Sequence, residues 1–569
     1  MISVSGKTWT QQKVNKNLVE KVKQDYGLGN IISQLIISRN YDISEIHGIN
    51  NNQKLVNIFK DDHDYQKASL ILLNSLKNNE NICILGDYDV DGACATSLLV
   101  RYFNHINQKH FFYIPDRVND GYGASKKLFQ KLILKKPKLI IMVDCGSTSY
   151  EAIEYLNQHN IKSIIIDHHE INRPYPKSEA VINPKKDTNN KESSILCATA
   201  LTYFFLDILI KKTKSNFKLF NFLIYVLLAT ICDVMPLRKI NKIIARNTLD
   251  DFNLKDNAAL SFIFDQYNLK KKITVEDLGF IIGPIINAGG RLNCSKYGVE
   301  LLSSDNINII KDRSIQLIEL NDKRKKIEQN ILDEINFEKI QRENKNVIIY
   351  YKNDLNEGLI GIVASRLKDY FNKPSIVITK SNDILKASAR STPSYNIGYL
   401  IKSLLDNDII KSGGGHNMAA GFTMKKGNMK ILNKFIQNDY FKKMAHIKNL
   451  NNYDMELSAS ALKTKFMNDI NKLGPFGNFN SLPTFLIKNA KIVKYEVVNN
   501  KHISAIIKPE TGPSIKAICF DCLNTKIGEY LLTYKLNINI IGQIYENIWN
   551  NKKTIQLNIR DLILQSNKS

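Results

Sequence analysis

Three short and strongly apolar runs, Ile82–Leu85, Leu139–Val143 and Ile161–Ile166, are each followed within two residues by an aspartate, and segments of helical periodicity separate them. Runs of this kind are parallel strands buried on both faces, because covering helices erase the polar/apolar alternation of a half-exposed strand. An α/β domain with a parallel sheet follows. In such a sheet the ligand crevice lies beyond the carboxyl ends of the strands, so the three acidic turns share one rim.

At 569 residues the chain exceeds one domain and has room for three or four. Residues 306–342 predict a long helix: Ile310, Leu317, Leu320, Ile327, Ile331 and Ile335 form an apolar stripe among charges, without Pro or Gly. A second α/β pattern follows, with strands at Val347–Tyr351 and Ser375–Thr379 and a glycine run at Gly413–Gly415. Beyond residue 453 short alternating stretches, Ile492–Val498, His502–Ile507, Ser514–Phe520, Leu536–Ile544 and Thr554–Ile559, predict a small barrel of OB size. The expected architecture is two α/β lobes joined by a long helix, plus a C-terminal β-barrel OB-fold. The boundaries are an N-terminal helical segment at 1–60, a catalytic domain at 61–255, a helical connector at 256–342, a second lobe at 343–445 and the barrel at 453–569.

A net charge of +24 suggests a polyanionic partner, although AT-rich coding also enriches Lys, Asn and Ile, so the charge supports that reading without establishing it. The eight cysteines lack the density and spacing of a disulfide scaffold, which fits a reducing cytoplasm. The lone CxxC, Cys519 to Cys522, has no second pair and does not make a four-ligand zinc site. The start of the chain lacks the apolar core of a secretory signal, and the apolar stretch Phe217 to Cys232 is too short to span a bilayer.

The first strand ends in Gly86-Asp87-Tyr88-Asp89-Val90-Asp91-Gly92. Three carboxylates in one turn raise each other's pKa unless cations compensate them, and hard divalent ions do so best. Taken alone, the turn also reads as a solvated loop or a helix N-cap. Two further strands end in Asp144-Cys145-Gly146 and Asp167-His168-His169, and Asp233 closes an apolar helix where a lone acid needs a partner. Oxygen and imidazole ligands together suit Mn²⁺ or Mg²⁺. Cys145 and Ser147 are read as turn and packing residues rather than nucleophiles.

These four places together resemble the DHH phosphoesterase superfamily, and within it the single-strand-specific 5′→3′ DNA exonucleases. The resemblance extends over essentially the whole chain, through Ile114-Pro115-Asp116-Arg117, Gly121-Tyr122-Gly123, Asn287-Ala288-Gly289-Gly290-Arg291-Leu292, Gly361 to Arg366, Gly413-Gly414-Gly415-His416 and Gly474-Pro475-Phe476-Gly477. It implies metal ligands at Asp89, Asp91, Asp144, His168 and Asp233, with Asp144 bridging two ions of Mn²⁺ or Mg²⁺, Asp87 close by, and His169 facing the scissile phosphate. It also implies a terminal-phosphate site at Arg117, Arg291, Ser388 and Arg390, with backbone N–H groups from Gly414 and Gly415 and the ring of His416.

The implied activity is release of 5′-mononucleotides from single-stranded DNA in repair and recombination. The implied protein is a cytoplasmic monomer working with a helicase and a single-strand-binding protein, away from membranes. Tyr545, Trp549, Phe520 and Phe476 are stacking candidates that are equally well barrel core. Two departures stand out. Ala387-Ser388-Ala389-Arg390-Ser391 replaces a glycine-containing loop, so any positive φ there would be strained, and Asn356 stands near an expected histidine. The alternatives are a DHH phosphodiesterase for short oligonucleotides or cyclic dinucleotides, and a non-enzymatic DNA-binding scaffold.

Overall fold

The computed structural model describes residues 1–51, 53–116, 120, 123–186, 192–292, 294–381, 383–444, 450–533, 537–549 and 552–564. The chain divides into two compact units. One comprises Asn57–Met235 and Asp251–Ile447, the other Met1–Val56, Pro236–Asp250 and Lys448–Ser569.

The first of these holds a five-stranded, fully parallel sheet in the spatial order His110–Tyr113, Ile82–Leu85, Leu139–Val143, Lys162–Ile166, Ala180–Ile182. The three central strands are those the apolar runs predict. The two edge strands escape hydropathy, one because it is only half-buried and the other because it has only 3 residues. The chain order reverses between Ile82–Leu85 and Leu139–Val143, and at such a switch point the loops diverge and open a crevice. Helices Lys126–Leu132 and Tyr150–Gln158 share a core with Cys83, Ile140, Met142 and Ile165. Ala198–Thr213 packs on Val90–His105 and Leu223–Cys232, and Leu223 through Thr230 are all buried.

The predicted 306–342 helix is two helices, Ile307–Asp333 and Phe337–Glu343. The break needs no Pro or Gly: Asn336 leaves helical geometry and its side chain accepts from Lys339 N–H at 2.8 Å, which caps the second helix. The following lobe carries a mixed sheet in the order Ser412–Gly415, Ala419–Met424, Ile384–Arg390, Ser375–Ser381, Ile348–Tyr351. Here one expectation is corrected. Ala387 to Arg390 is strand rather than loop, neither alanine has positive φ, and both methyl groups point into the core, with Ala389 fully buried. Period-two alternation then places Ser388 and Arg390 together on the opposite face.

In the other unit the strands Thr484–Val498, His502–Pro509, Ile515–Cys519, Lys552–Leu564 and Ile538–Trp549 pair in that order, and the last returns to pair with the first. That closes a five-stranded barrel with the helix Lys526–Thr533 inserted after its third strand. The N-terminus is part of this unit: Thr8–Gln11 pairs in parallel with Leu450–Tyr453, and Trp9 Nε1 donates to the buried Asp561 at 2.8 Å. Arg238 and Arg246, from the inserted helix segment, bond to Glu45 and to the carbonyls of Gly48, Lys472 and Gly474. Among the described residues no helix is long and apolar enough to cross a membrane.

Candidate metal centre

The acidic turn is built by the strand-to-helix junction. Asp89 caps the helix Val90–His105 and accepts from Gly92 N–H at 3.0 Å. The N-cap reading of this aspartate is therefore correct, and compatible with a second role for its other oxygen. Gly92 is required because a Cβ there would lie 2.4 Å from the carbonyl oxygen of Asp87. Asp91 is buried and points at the start of the helix Ala198–Thr213, where Ala198 N–H, Thr199 N–H and Thr199 Oγ1 donate to it at 2.6–2.7 Å. A helix N-terminus stabilises a carboxylate in this way. Asp144 sits at φ 60°, a left-handed conformation that aspartate tolerates better than most residues, and Gly146 continues the turn at φ 111°.

These turns converge. His168 Nε2 lies 3.3 Å from Asp144 Oδ1, 3.5 Å from Asp233 Oδ2 and 3.7 Å from Asp91 Oδ2. Among the described residues three ligand triads have all their donor atoms within 4.8 Å of one another: Asp87, Asp89 and Asp144; Asp91, His168 and Asp233; Asp144, His168 and His169. Asp144 belongs to the first and third of these triads and His168 to the second and third.

The electrostatics call for a cation. Burial, followed by the charges of Asp91, Asp89, Asp87 and Asp233, pushes Asp144 well above the usual carboxylate range. Burial and Asp89 push Asp91 up to about 6 despite its three donors. Asp233 is raised by burial and by the same two aspartates. Burial drives His168 down to about 3, so its imidazole is neutral and offers a lone pair. Among the described residues Asp144 Oδ1 accepts no hydrogen bond although it is buried. A neutral imidazole and an unbonded carboxylate oxygen, set among mutually repelling acids, fit divalent cations, and the oxygen/nitrogen donor set suits Mn²⁺ or Mg²⁺.

His169 is held differently. Its Nδ1 lies 2.8 Å from Asp167 Oδ1, which also accepts from the backbone N–H groups of His168 and His169, while Asp167 Oδ2 accepts from Ser147 N–H at 3.0 Å. Burial opposes a charge on either partner, yet this bonding holds Asp167 below the carboxylate range and raises His169 to about 9. His169 is thus a cation, oriented by a buried anion. Sequence reasoning missed the supporting roles of Ser147, Asn183 and Thr199, because they act through bonds to Asp167, to the His169 carbonyl and to Asp91 that no spacing pattern announces.

The phosphate candidates come from the end of the helix Gly283–Arg291 and from the second lobe. Arg291 Nη1 donates to the Gly358 carbonyl at 3.0 Å, and Arg390 Nη1 donates to Ser388 Oγ at 3.2 Å. A Cβ on Gly361 would lie 2.9 Å from the Arg390 guanidinium, so the Gly358–Gly361 turn meets both arginines. Gly414 and Gly415 lie on the edge strand Ser412–Gly415, and a Cβ on Gly415 would collide with Ala420 at 2.4 Å. His416 follows, its ring centroid 6.5 Å from that of His169. Arg117, Gly121 and Tyr122 lie outside the described residues, as does the side chain of Trp549. In the barrel, Phe520 is exposed against His502, whereas Phe476 packs on the core. Tyr545 is half-buried and donates to Gln556 at 2.9 Å.

Residues 81–230 match the DHH family N-terminal domain, 344–440 the DHHA1 domain and 453–561 the RecJ OB domain. The single-stranded-DNA-specific exonuclease RecJ of Bacillus subtilis is 27% identical over 97% of this chain and 70% of its own length. That of Haemophilus influenzae is 28% identical over 83% of this chain and 87% of its own. The chain belongs to the RecJ family of DHH proteins. The fold of this RecJ-family chain agrees: the crystal structure of Thermus thermophilus RecJ in complex with Mn²⁺ superimposes over 98% of it and 80% of that chain, with a TM-score of 0.82 at 19% identity.

Proposed function

We propose that the protein is a metal-dependent 5′→3′ exonuclease that degrades single-stranded DNA to 5′-mononucleotides. The observation that carries this reading is the convergence of five aspartates and His168 at the switch point of a parallel sheet, in a chain with the lobes and barrel of RecJ. Asp87, Asp89 and Asp144 would hold one ion, and Asp91, His168 and Asp233 a second, with Asp144 between them. Manganese or magnesium bound there supplies the electrophile that polarises a phosphoryl oxygen, acidifies a water and takes up charge on the leaving oxygen.

The chain's own residues do the rest. Asp167 fixes the protonated His169 by Nδ1, which leaves Nε2 to meet a phosphodiester oxygen. Arg291, Ser388 and Arg390 bind the terminal phosphate, joined by the edge strand at Gly414–Gly415 and by His416. Both arginine forks and an edge with outward N–H groups are good phosphate partners. The barrel extends the grip on the strand, and its presence favours long substrates over dinucleotides. We place the protein in the cytoplasm, as its free cysteines suit, with a helicase and a single-strand-binding protein as partners.

Digestion of a 5′-labelled and a 3′-labelled single strand with Mn²⁺, Mg²⁺ or EDTA tests the reading. Mononucleotide should appear first from the 5′ label, duplex should resist, and EDTA should abolish release. Release from the 3′ side, or in chelator, would overturn it.

A further inference from the structure

Lys185 has no part in the account above, yet the fold fixes it beside the metal centre. It stands in the short turn Pro184–Lys186, directly after the edge strand Ala180–Ile182. Asn183 locks that turn to the centre: its Nδ2 donates to Ser147 Oγ at 2.8 Å and to the His169 carbonyl at 2.9 Å, while its Oδ1 accepts from Lys185 N–H at 2.8 Å. The backbone of Lys185 is therefore tied through Asn183 to the backbone of His169.

Its ammonium reaches the residue that follows His169. Lys185 Nζ lies 2.9 Å from Glu170 Oε1, one residue past His169, and the same oxygen is 3.9 Å from His416 Nδ1 of the second lobe. His416 in turn faces His169. Lys185 is only 25% exposed, but Glu170 is 66% exposed, and an ion pair with so open a partner contributes little to stability. What the pair does is place a carboxylate between an ammonium and an imidazole, next to a site that must receive phosphates. A backbone phosphate carries the same charge on more accessible oxygens.

We infer that Lys185 is a substrate-binding residue that takes a backbone phosphate flanking the scissile one, with Glu170 as the anion this phosphate displaces. The inference rests on the single-strand exonuclease reading. It makes Glu170 a competitor of substrate rather than a helper, so substitutions at the two ends of one ion pair act in opposite directions.

Fluorescence anisotropy with a labelled single strand, over a series of salt concentrations, reads this without turnover, and steady-state kinetics reads it with turnover. Lys185→Gln should raise Kd and KM about tenfold, on every sequence alike, with kcat little changed. The slope of log affinity against log salt should become shallower by about 0.7, the value for one lost contact on a single strand. Glu170→Gln should tighten binding roughly two- to threefold, since it frees the ammonium. Equal weakening by both variants would mean a structural ion pair only, and an unchanged slope in Lys185→Gln would mean no phosphate contact; either result overturns the inference. If the wild-type chain binds single strands but does not cleave them, the function reading fails while the anisotropy still decides Lys185. If it does not bind them at all, both fall.

Discussion

Asp144 concentrates the cost of the centre in one side chain: it is buried, set at φ 60°, and faces four other aspartates. Asp167 is its opposite, an aspartate saturated with donors that neutralises and aims His169. Asp167→Asn should keep the fold but fall about 10²–10⁴-fold in kcat, because the ring loses both its counter-charge and its orientation; circular dichroism with single-turnover kinetics checks it. In the unit that holds the barrel, Lys242 is buried, its Nζ has no hydrogen-bond partner among the described residues, and it lies 4.7 Å from the Tyr41 ring centroid. Burial, then Arg246, lowers its pKa to about 7. The unfolded chain keeps that proton up to about pH 10.4, so between about 7 and 10.4 it binds more protons than the native state, and stability rises with pH in that window. Lys242→Met should flatten this slope and stabilise the protein by on the order of 1–3 kcal/mol at pH 7; thermal melts at pH 7 and 9 would show it, and an unchanged slope would contradict it.

At the scale of elements, the sequence was most legible where burial is complete. Ile82–Leu85 and Leu139–Val143 are strands with every residue buried, and an unbroken apolar run can mean little else beside an acidic turn. His110–Tyr113 was not legible because an edge strand of half-buried aromatics has no distinctive period. The run Ala387 to Arg390 was misread because its glycine-containing counterparts suggest a loop, whereas two small side chains are what a tightly packed core face requires. The aspartates and His168 that converge were legible as candidate ligands because they stand in the turns that follow a buried strand or close an apolar helix. The residues that hold them were not, because Thr199 and Asn183 act through backbone and side-chain bonds between segments distant in the chain. The N-terminal strand is a further case: nothing in Thr8–Gln11 announces a parallel partner at Leu450–Tyr453. Trp9→Ala should cost about 3–5 kcal/mol and expose the buried Asp561 carboxylate, which chemical denaturation of the full chain would register.

Across the whole molecule, the division of labour follows the topology. The parallel sheet supplies a rim of acids, the second lobe carries Ser388, Arg390, His416 and the edge strand Ser412–Gly415, and the barrel matches the RecJ OB domain. A net charge of +24 predicts that affinity for single strands falls with salt, while the buried acids of the centre call for cations of their own. The central claim is that Asp87, Asp89, Asp91, Asp144, Asp233 and His168 hold a pair of divalent ions, and anomalous diffraction from manganese-soaked crystals addresses it most directly. Two peaks are predicted, one against Asp87, Asp89 and Asp144 and one against Asp91, His168 and Asp233. No peak there, or manganese bound only elsewhere, would contradict the account.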